Sequence, residues 1–276
     1  MRIDAHQHFW IYDKVKDSWI TDDMAVIQRD FLPNDLSAIL KESKIDGTVA
    51  VQASQSATET HFLVDLSKVY ALIKGVVGWV DLQAENIDEQ LQEYRKEPII
   101  KGFRHIIQGE EDPDFILRET FQRGIKALTK YGYTYDLLIR PHHFHSTLAC
   151  VAANPEQKFV LDHMAKPDIK NVGTQGWFEF ITELAKYKNV SCKISGLVTE
   201  ADWKNWKVDD FVPYIAHTIS AFGAERIMFG SDWPVMLLAA SYTQGIEILN
   251  KHMAPLTEME LDAFWGGNAT KFYNLK

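Results

Sequence analysis

The chain has 276 residues, of which 46% are hydrophobic and 24% charged, and its formal net charge at pH 7 is −9. This profile belongs to an ordinary globular protein and excludes a disordered chain, a collagen and a coiled coil. The acidic balance also argues against nucleic acid and anionic membrane surfaces as partners, since both are bound through basic patches.

Short β-rich runs alternate with helical patterns along the whole sequence. Most of these runs are nearly continuously apolar, which is typical of parallel strands buried on both faces. Eight predicted strands begin near Arg2, Gly47, Gly75, Ile99, Tyr133, Lys158, Val190 and Arg226. Their spacing of roughly 25 to 45 residues matches one strand–helix unit of a parallel barrel.

The segments between the strands carry apolar residues at helical spacing. Phe62 and Leu66, for example, lie one helical turn apart. Gly132 and Gly223 fall where the fourth and seventh helices are expected to end. Eight such units predict an α/β fold, a (β/α)8 TIM-type barrel that spans residues 1–276 as a single domain. A doubly wound sheet is the alternative, but no GxGxxG fingerprint follows the first strand.

Reactive side chains fall at the ends of several predicted strands, where a TIM-type barrel has its active site. His6 and His8 lie two residues apart near the end of the first strand, so their side chains share one face. His163 ends the sixth strand, and Asp232 follows the eighth. Each alone is compatible with a structural histidine or a turn, but together at one barrel mouth they predict a metal or catalytic site. The polar stretch from Asp13 to Asp30 is long enough for a functional loop after the first strand.

Several motifs, taken together, are characteristic of one enzyme family. They are His6-Gln7-His8, Phe103-Arg104-His105, Leu161 to Pro167 (LDHMAKP), Lys193 to Gly196 (KISG), Gly230 to Pro234 (GSDWP) and Gly267 to Tyr273 (GNATKFY). With these motifs the sequence resembles the amidohydrolase superfamily, in particular its sugar-lactone hydrolases, with the L-fuconolactonases and the 2-pyrone-4,6-dicarboxylate lactonases. The resemblance covers nearly the whole chain and implies a distorted, amidohydrolase-like (β/α)8 barrel that hydrolyses an ester or lactone.

The resemblance implies a site for one metal ion at most. Its ligands would be His6, His8, His163 and Asp232. The sequence departs from the two-metal members of the superfamily, because the fifth strand has no histidine before Arg140 and the fourth ends in Arg104 and His105 instead of lysine or glutamate. The expected cofactor is therefore a single divalent ion, zinc or manganese, and a metal-free site is the alternative.

Lactone hydrolysis needs an attacking water, a polarised carbonyl and a proton for the leaving alkoxide. Asp232 is the expected general base. His163 would bind the ion that polarises the carbonyl or donate a hydrogen bond to its oxygen, and Arg104 and His105 would assist from the end of the fourth strand. The expected substrate-binding residues are Trp10, Gln52, Trp79, Arg140, His142, Lys166 and Trp233.

The predicted function is hydrolysis of a small-molecule sugar lactone, of the L-fucono- or L-rhamnono-lactone type. One alternative is a metal-dependent decarboxylase of the same superfamily, which would anchor a carboxylate with Arg104, Arg140 and Lys166. Another is a non-catalytic sugar-binding barrel, which would have no need of Asp232 as a base. Whether the chain forms a homo-oligomer stays open, because no interface pattern stands out.

Features that would indicate secretion or membrane insertion are lacking from the sequence. Cys150 and Cys192 are too few for a disulfide framework, and Asp4 and His6 interrupt the apolar core that a signal peptide needs. The apolar runs fall short of the ~18 residues required for a membrane helix. A soluble, cytoplasmic protein with reduced cysteines is therefore expected.

Overall fold

The computed structural model of the protein describes residues 1–173 and 176–276. Within them, eight parallel strands form one sheet in which each strand pairs with its successor along the chain. The strands are Ile3–Gln7 (β1), Gly47–Val51 (β2), Ile73–Gly78 (β3), Ile100–His105 (β4), Thr134–Leu137 (β5), Phe159–Leu161 (β6), Val190–Ile194 (β7) and Ile227–Phe229 (β8). The eight predicted strands are confirmed, and each begins within two residues of its predicted start.

Helices alternate with the strands and complete the (β/α)8 barrel. They are Pro33–Glu42 (α1), Ala57–Val69 (α2), Ile87–Tyr94 (α3), Glu119–Tyr131 (α4), Phe144–Ala153 (α5), Trp177–Ala185 (α6), Val212–Phe222 (α7), Tyr242–Met253 (α8), Glu258–Asp262 (α9) and Asn268–Tyr273 (α10). Gly132 ends α4 with a φ of +78°, a left-handed conformation that glycine adopts without steric cost. Gly223 follows α7, as the sequence predicts.

The barrel closes between β1 and the segment that follows β8. The backbone N–H of His8 donates to the carbonyl oxygen of Trp233 at 2.7 Å, and the N–H of Asp232 donates to the carbonyl oxygen of His6 at 2.8 Å. Because both hydrogen bonds join residues of the predicted site or their direct neighbours, barrel closure also fixes His6, His8 and Asp232 relative to one another.

The C-terminal segment packs into the barrel. Tyr273 of α10 and Leu275 belong to an apolar cluster that includes Val49 of β2, Val77 of β3 and Val160 of β6. Burial of these side chains anchors the end of the chain to three strands. It also carries the hydroxyl group of Tyr273 to the polar residues beneath the predicted site.

Two further features of the described residues concern the cysteines and the length of the helices. Cys150 and Cys192 are both buried and carry free thiols. Across residues 1–173 and 176–276, no helix has both the length and the apolar character needed to cross a membrane.

Candidate active site

Four side chains meet at the carboxyl end of the barrel, as the sequence predicts. His8 Nε2 lies 3.2 Å from His6 Nε2 and 3.3 Å from Asp232 Oδ1. Asp232 Oδ1 is also 3.9 Å from His6 Nε2 and 3.8 Å from His163 Nε2. All four residues are buried. Three imidazole nitrogens and one carboxylate oxygen therefore face a common point.

The orientation of two imidazoles is fixed by hydrogen bonds on their far side. His8 Nδ1 lies 2.7 Å from the carbonyl oxygen of Val51, which can only accept, so Nδ1 carries a proton. His163 Nδ1 lies 2.9 Å from Ser195 Oγ. His8 Nε2 is thereby aimed at Asp232, and in the neutral imidazole it offers the lone pair that a metal ion between the two atoms would bind.

The third imidazole, His6, is held by a buried ionic network. Its Nδ1 lies 3.3 Å from Asp162 Oδ1 and 3.1 Å from Lys193 Nζ. Lys193 Nζ is 3.0 Å from the same Asp162 oxygen, and Arg104 Nη1 donates to the other at 3.0 Å. Burial alone would raise the pKa of Asp162, but Lys193, His6 and Arg104 hold it well below its usual value. Asp162 is therefore a carboxylate.

A second carboxylate supports Lys193 from below. Asp136 Oδ2 lies 2.5 Å from Lys193 Nζ and accepts a hydrogen bond from the Tyr273 hydroxyl group at 2.9 Å. Burial, together with nearby Asp162, raises the pKa of Asp136 to about 6, so it remains ionised at neutral pH. Asp136, Asp162 and Asp232 thus outnumber the two buried cations by one. A site with this excess negative charge attracts a divalent cation.

The protonation states of the converging groups suit a metal site. Burial lowers the pKa of His6 and of His163 well below the usual value, so both imidazoles are neutral at pH 7. Burial alone would raise the pKa of Asp232, but the imidazoles of His163 and His8 outweigh it and lower the pKa. Neutral imidazoles and an ionised carboxylate are the forms that bind zinc. The residues present therefore fit a metal ion: His6, His8 and Asp232 offer ligand atoms within 4.8 Å of one another, and His163 Nε2 lies 3.8 Å from the same Asp232 oxygen.

Unusual backbone conformations present two of these ligands. The segment from His163 to Lys166 has φ between +50° and +58°, and Asp232 has a φ of +60°. Such values cost non-glycine residues roughly 1–3 kcal/mol each and cluster at functional sites. Gly196, with a φ of +63°, lies close to both of these residues. A Cβ at this position would lie 2.6 Å from His163 Nδ1 and 3.2 Å from Asp232 Oδ2.

A cavity of about 320 Å³ opens above the converging side chains, within the range of about 300–1,000 Å³ that is usual for small-molecule sites. It is lined by His8, Trp19, Ala53, Arg104, Ile106, Gln108, Gly109, Leu138, Arg140, His163, Lys166, Asp232 and Val235. The structure thus brings Arg104, Arg140 and Lys166 to the site, as predicted. Trp19, which the sequence analysis did not single out, comes from the predicted loop after β1.

The three tryptophans predicted to bind substrate lie elsewhere. Trp10 is buried, donates from Nε1 to the carbonyl oxygen of Arg29 and packs edge-on against Phe31. Trp233 is buried against the same Phe31. The backbone N–H of Trp79 donates to Thr60 Oγ1 of α2. None of the three is among the described residues that line the cavity, and their contact with substrate stays a prediction.

Three polar residues predicted at the site are also placed outside the cavity. Gln52 Nε2 donates to the backbone carbonyl of Arg104, so it positions that arginine. His105 follows Arg104 on β4 and points to the opposite side, where it stacks on Phe115 with ring centroids 4.9 Å apart. It binds Glu110 Oε1 at 2.7 Å. His142 is exposed, and its Nε2 lies 3.4 Å from the carbonyl oxygen of Glu110.

Comparison with known proteins decides the family. Residues 3–275 match the family model described as Amidohydrolase. The chain belongs to the amidohydrolase family. The family that the sequence motifs resemble is thus confirmed, and nearly the whole chain carries the match.

Relatives of this amidohydrolase include proteins with named activities. It is 38% identical over 286 residues to an L-fucono-1,5-lactonase of Burkholderia multivorans, covering 100% of this chain and 96% of that protein. It is 33% identical to an L-fucono-1,5-lactonase of Burkholderia ambifaria, covering 99% and 96%. A crystal structure of an amidohydrolase from Burkholderia multivorans with bound zinc has a TM-score of 0.97, with 38% identity and full coverage of both chains. The barrel is therefore shared in detail with a zinc-binding relative.

Proposed function

We propose that this amidohydrolase hydrolyses a neutral sugar lactone. The observation that carries the proposal is the position of Asp232, a buried carboxylate that faces three imidazoles beneath a cavity open to a small molecule. The substrate class is supported by the two Burkholderia relatives, which are named L-fucono-1,5-lactonases. L-Fucono-1,5-lactone is the proposed type of substrate.

We assign His6, His8, His163 and Asp232 to a single zinc ion. The position of Asp232 Oδ1, which lies within 3.9 Å of the Nε2 atom of each of the three imidazoles, supports this assignment, as does the zinc in the structure of the Burkholderia multivorans amidohydrolase. When bound, zinc supplies Lewis-acid polarisation of the lactone carbonyl. The lowered pKa values of His6 and His163 keep both imidazoles able to bind a metal at neutral pH.

Asp232 is the group that moves protons in this proposal. Its pKa lies below the usual value, so it is a carboxylate at pH 7 and able to accept a proton from the attacking water. The new bond joins the water oxygen to the carbonyl carbon, and the bond between that carbon and the ring oxygen breaks. Asp232 then returns the proton to the ring oxygen. The product is a hydroxy acid, which releases one proton at neutral pH.

Arg104 is the proposed donor to the substrate. Its side chain is buried and lines the cavity, and its Nη1 is directed by Asp162 Oδ2 at 3.0 Å. Its Nε is buried and has no hydrogen-bond partner among residues 1–173 and 176–276. Arg104 therefore places a positive charge at the cavity wall, which favours a ligand rich in oxygen atoms.

The remaining cavity wall suits the ring of a sugar. Trp19, which is 40% exposed, offers an indole on one side, and Ile106, Leu138 and Val235 add aliphatic surface. Apolar walls with a few polar groups match the C–H faces and hydroxyls of a sugar lactone. A decarboxylase would instead need a free cation near the imidazoles, and the arginine in that position is already bound to Asp162.

The proposal is tested by a pH-indicator assay of L-fucono-1,5-lactone with zinc-loaded protein and with chelator-treated protein. We expect acid release without carbon dioxide. Asp232→Asn should lower kcat at least about 10²-fold, the scale for loss of an acid–base group. Asp65→Asn, on the outer helix α2, is the matched control and should retain activity. Acid release from none of a series of sugar lactones, or equal activity of Asp232→Asn, would contradict the proposal.

A further inference from the structure

A single glutamate binds two of the cations at the cavity mouth. Glu200 Oε1 lies 3.1 Å from Lys166 Nζ, and Glu200 Oε2 lies 3.9 Å from Arg140 Nη1. Lys166 and Arg140 both line the cavity that contains Asp232, and they follow different strands, β6 and β5. The carboxylate of Glu200 therefore neutralises positive charge from two sides of the mouth.

The pair between Glu200 and Lys166 is sheltered from solvent. Their side chains are 14% and 15% exposed, whereas that of Arg140 is 47% exposed. Charges in such a sheltered position are screened less by salt than those of a surface pair. A ligand in the cavity will therefore sense the charge of Glu200 more strongly than that of a carboxylate on the outer surface.

Backbone hydrogen bonds connect this ion pair to the segment from His163 to Lys166. The N–H of Lys166 donates to the carbonyl oxygen of His163 at 2.9 Å, and the N–H of Lys170 donates to the carbonyl oxygen of Glu200 at 3.0 Å. The segment that presents His163 thus also holds Lys166 and meets the turn of Glu200. A substrate bound at His163 and Asp232 is bound beside this pair.

We propose that Glu200 sets the charge selectivity of the cavity. Because it pairs with Lys166 and Arg140, it leaves a mouth whose positive charge is neutralised and which accepts a neutral lactone. A lactone that bears a carboxylate meets a like charge and cations that are already occupied. This inference rests on the lactone hydrolysis proposed above and adds to it the residue that excludes anionic lactones.

The test compares neutral and anionic lactones in the Glu200→Gln variant, which keeps the shape of the side chain and removes its charge. We expect kcat/KM for 2-pyrone-4,6-dicarboxylate, relative to that for L-fucono-1,5-lactone, to rise at least about tenfold, because one like charge is removed from beside the ligand. Glu258→Gln, exposed on α9, is the matched control and should leave the ratio unchanged. Adding Lys166→Met should abolish the gain, since the freed cation is then lost.

The outcomes separate this inference from the proposed function. An unchanged ratio in Glu200→Gln, with activity on the neutral lactone retained, overturns the inference and leaves the lactonase intact. A wild-type protein inactive on every lactone contradicts the proposed function. In that case calorimetry with glutarate, a dianion, tests the inference by binding alone. Tighter binding of glutarate by Glu200→Gln than by wild type supports the inference, and unchanged binding overturns it. Glu200→Ser replaces the first variant if circular dichroism shows that Glu200→Gln is unfolded.

Discussion

Asp162 Oδ1 lies 3.3 Å from Nδ1 of His6, while Nε2 of the same imidazole faces His8 at 3.2 Å. Lys193 Nζ lies 3.1 Å from the same Nδ1, and Arg104 Nη1 lies 3.3 Å from Nε2, so charged groups hold the imidazole on both of its nitrogens. The charge of Asp162 is in turn held by Lys193 and Arg104. The ionic network therefore fixes the position and orientation of the His6 imidazole.

The first prediction concerns the contact between Asp162 and His6. Asp162→Asn should weaken zinc binding by about 10- to 100-fold, the usual effect of losing a carboxylate that orients a metal-binding histidine. Competition with a chromophoric chelator measures the affinity. Asp114→Asn, an exposed carboxylate on the loop before α4, is the matched control. Equal zinc affinity in wild type and Asp162→Asn would show that His6 is oriented by other contacts.

The second prediction distinguishes two effects of replacing a glycine: strain of the backbone and contact of the new side chain with the site. Gly196 and Gly132 both have positive φ, +63° and +78°, but only Gly196 has neighbours within 4 Å of an added Cβ. Each alanine substitution should lose roughly 1 kcal/mol from the left-handed conformation. Gly196→Ala should also displace His163 and lower kcat at least about tenfold, whereas Gly132→Ala should retain kcat. Denaturant unfolding and lactone assays measure the two effects, and equal kcat values would refute the predicted displacement.

A third prediction concerns stability as a function of pH. Burial lowers the pKa of His105 in spite of its hydrogen bond to Glu110. The unfolded chain then binds a proton near pH 6.5 that the folded chain does not, so the free energy of unfolding is reduced as the pH falls below about 6.5. His105→Gln should remove this part of the pH dependence. Denaturant unfolding between pH 7.5 and 5.5 is the measurement, with exposed His142→Gln as the control; identical pH profiles for wild type and His105→Gln would contradict it.

The fold was predictable because each strand is a local apolar run. The register and closure of the barrel then follow from the order of the strands, which brings His6, His8, His163 and Asp232 to one end. Their convergence needed only the strand ends and the rule that parallel barrels are functional at their carboxyl face. The alternation of side chains along β4 also contains the information that Arg104 and His105 cannot both point inward.

The charged network beneath the site was not predictable from local pattern. Lys193 contacts Asp136 across 57 positions of sequence, and Asp162 reads as an ordinary residue beside His163. Glu200 lies on a loop where a solvated carboxylate is the usual expectation.

The position of the tryptophans was not predictable for a different reason, since an indole suits both a protein core and the face of a sugar. Trp10 and Trp233 are buried, whereas Trp19 is 40% exposed and lines the cavity.

Two groups of side chains in the described residues are close enough to hold a metal ion. They are His6, His8 and Asp232, and His6, Asp162 and His163. The groups share His6, whose Nε2 faces the first group and whose Nδ1 lies against Asp162. The carboxylate of Asp162 is also occupied by Lys193 and Arg104. A second ion would have to displace both cations from a buried position, which is unfavourable.

The last prediction concerns the number of zinc ions that each chain binds. Protein loaded with excess zinc and then desalted should retain one equivalent per chain, measured by elemental analysis. His8→Asn should lower zinc affinity at least about 10²-fold, because it removes a direct ligand, and this loss should be at least as large as that of Asp162→Asn, which removes only the support of His6. His61→Asn, exposed on α2, is the control for loss of a histidine and should keep one equivalent. Two equivalents in the wild type would contradict the single site, and a larger loss in Asp162→Asn than in His8→Asn would place the ion in the second group.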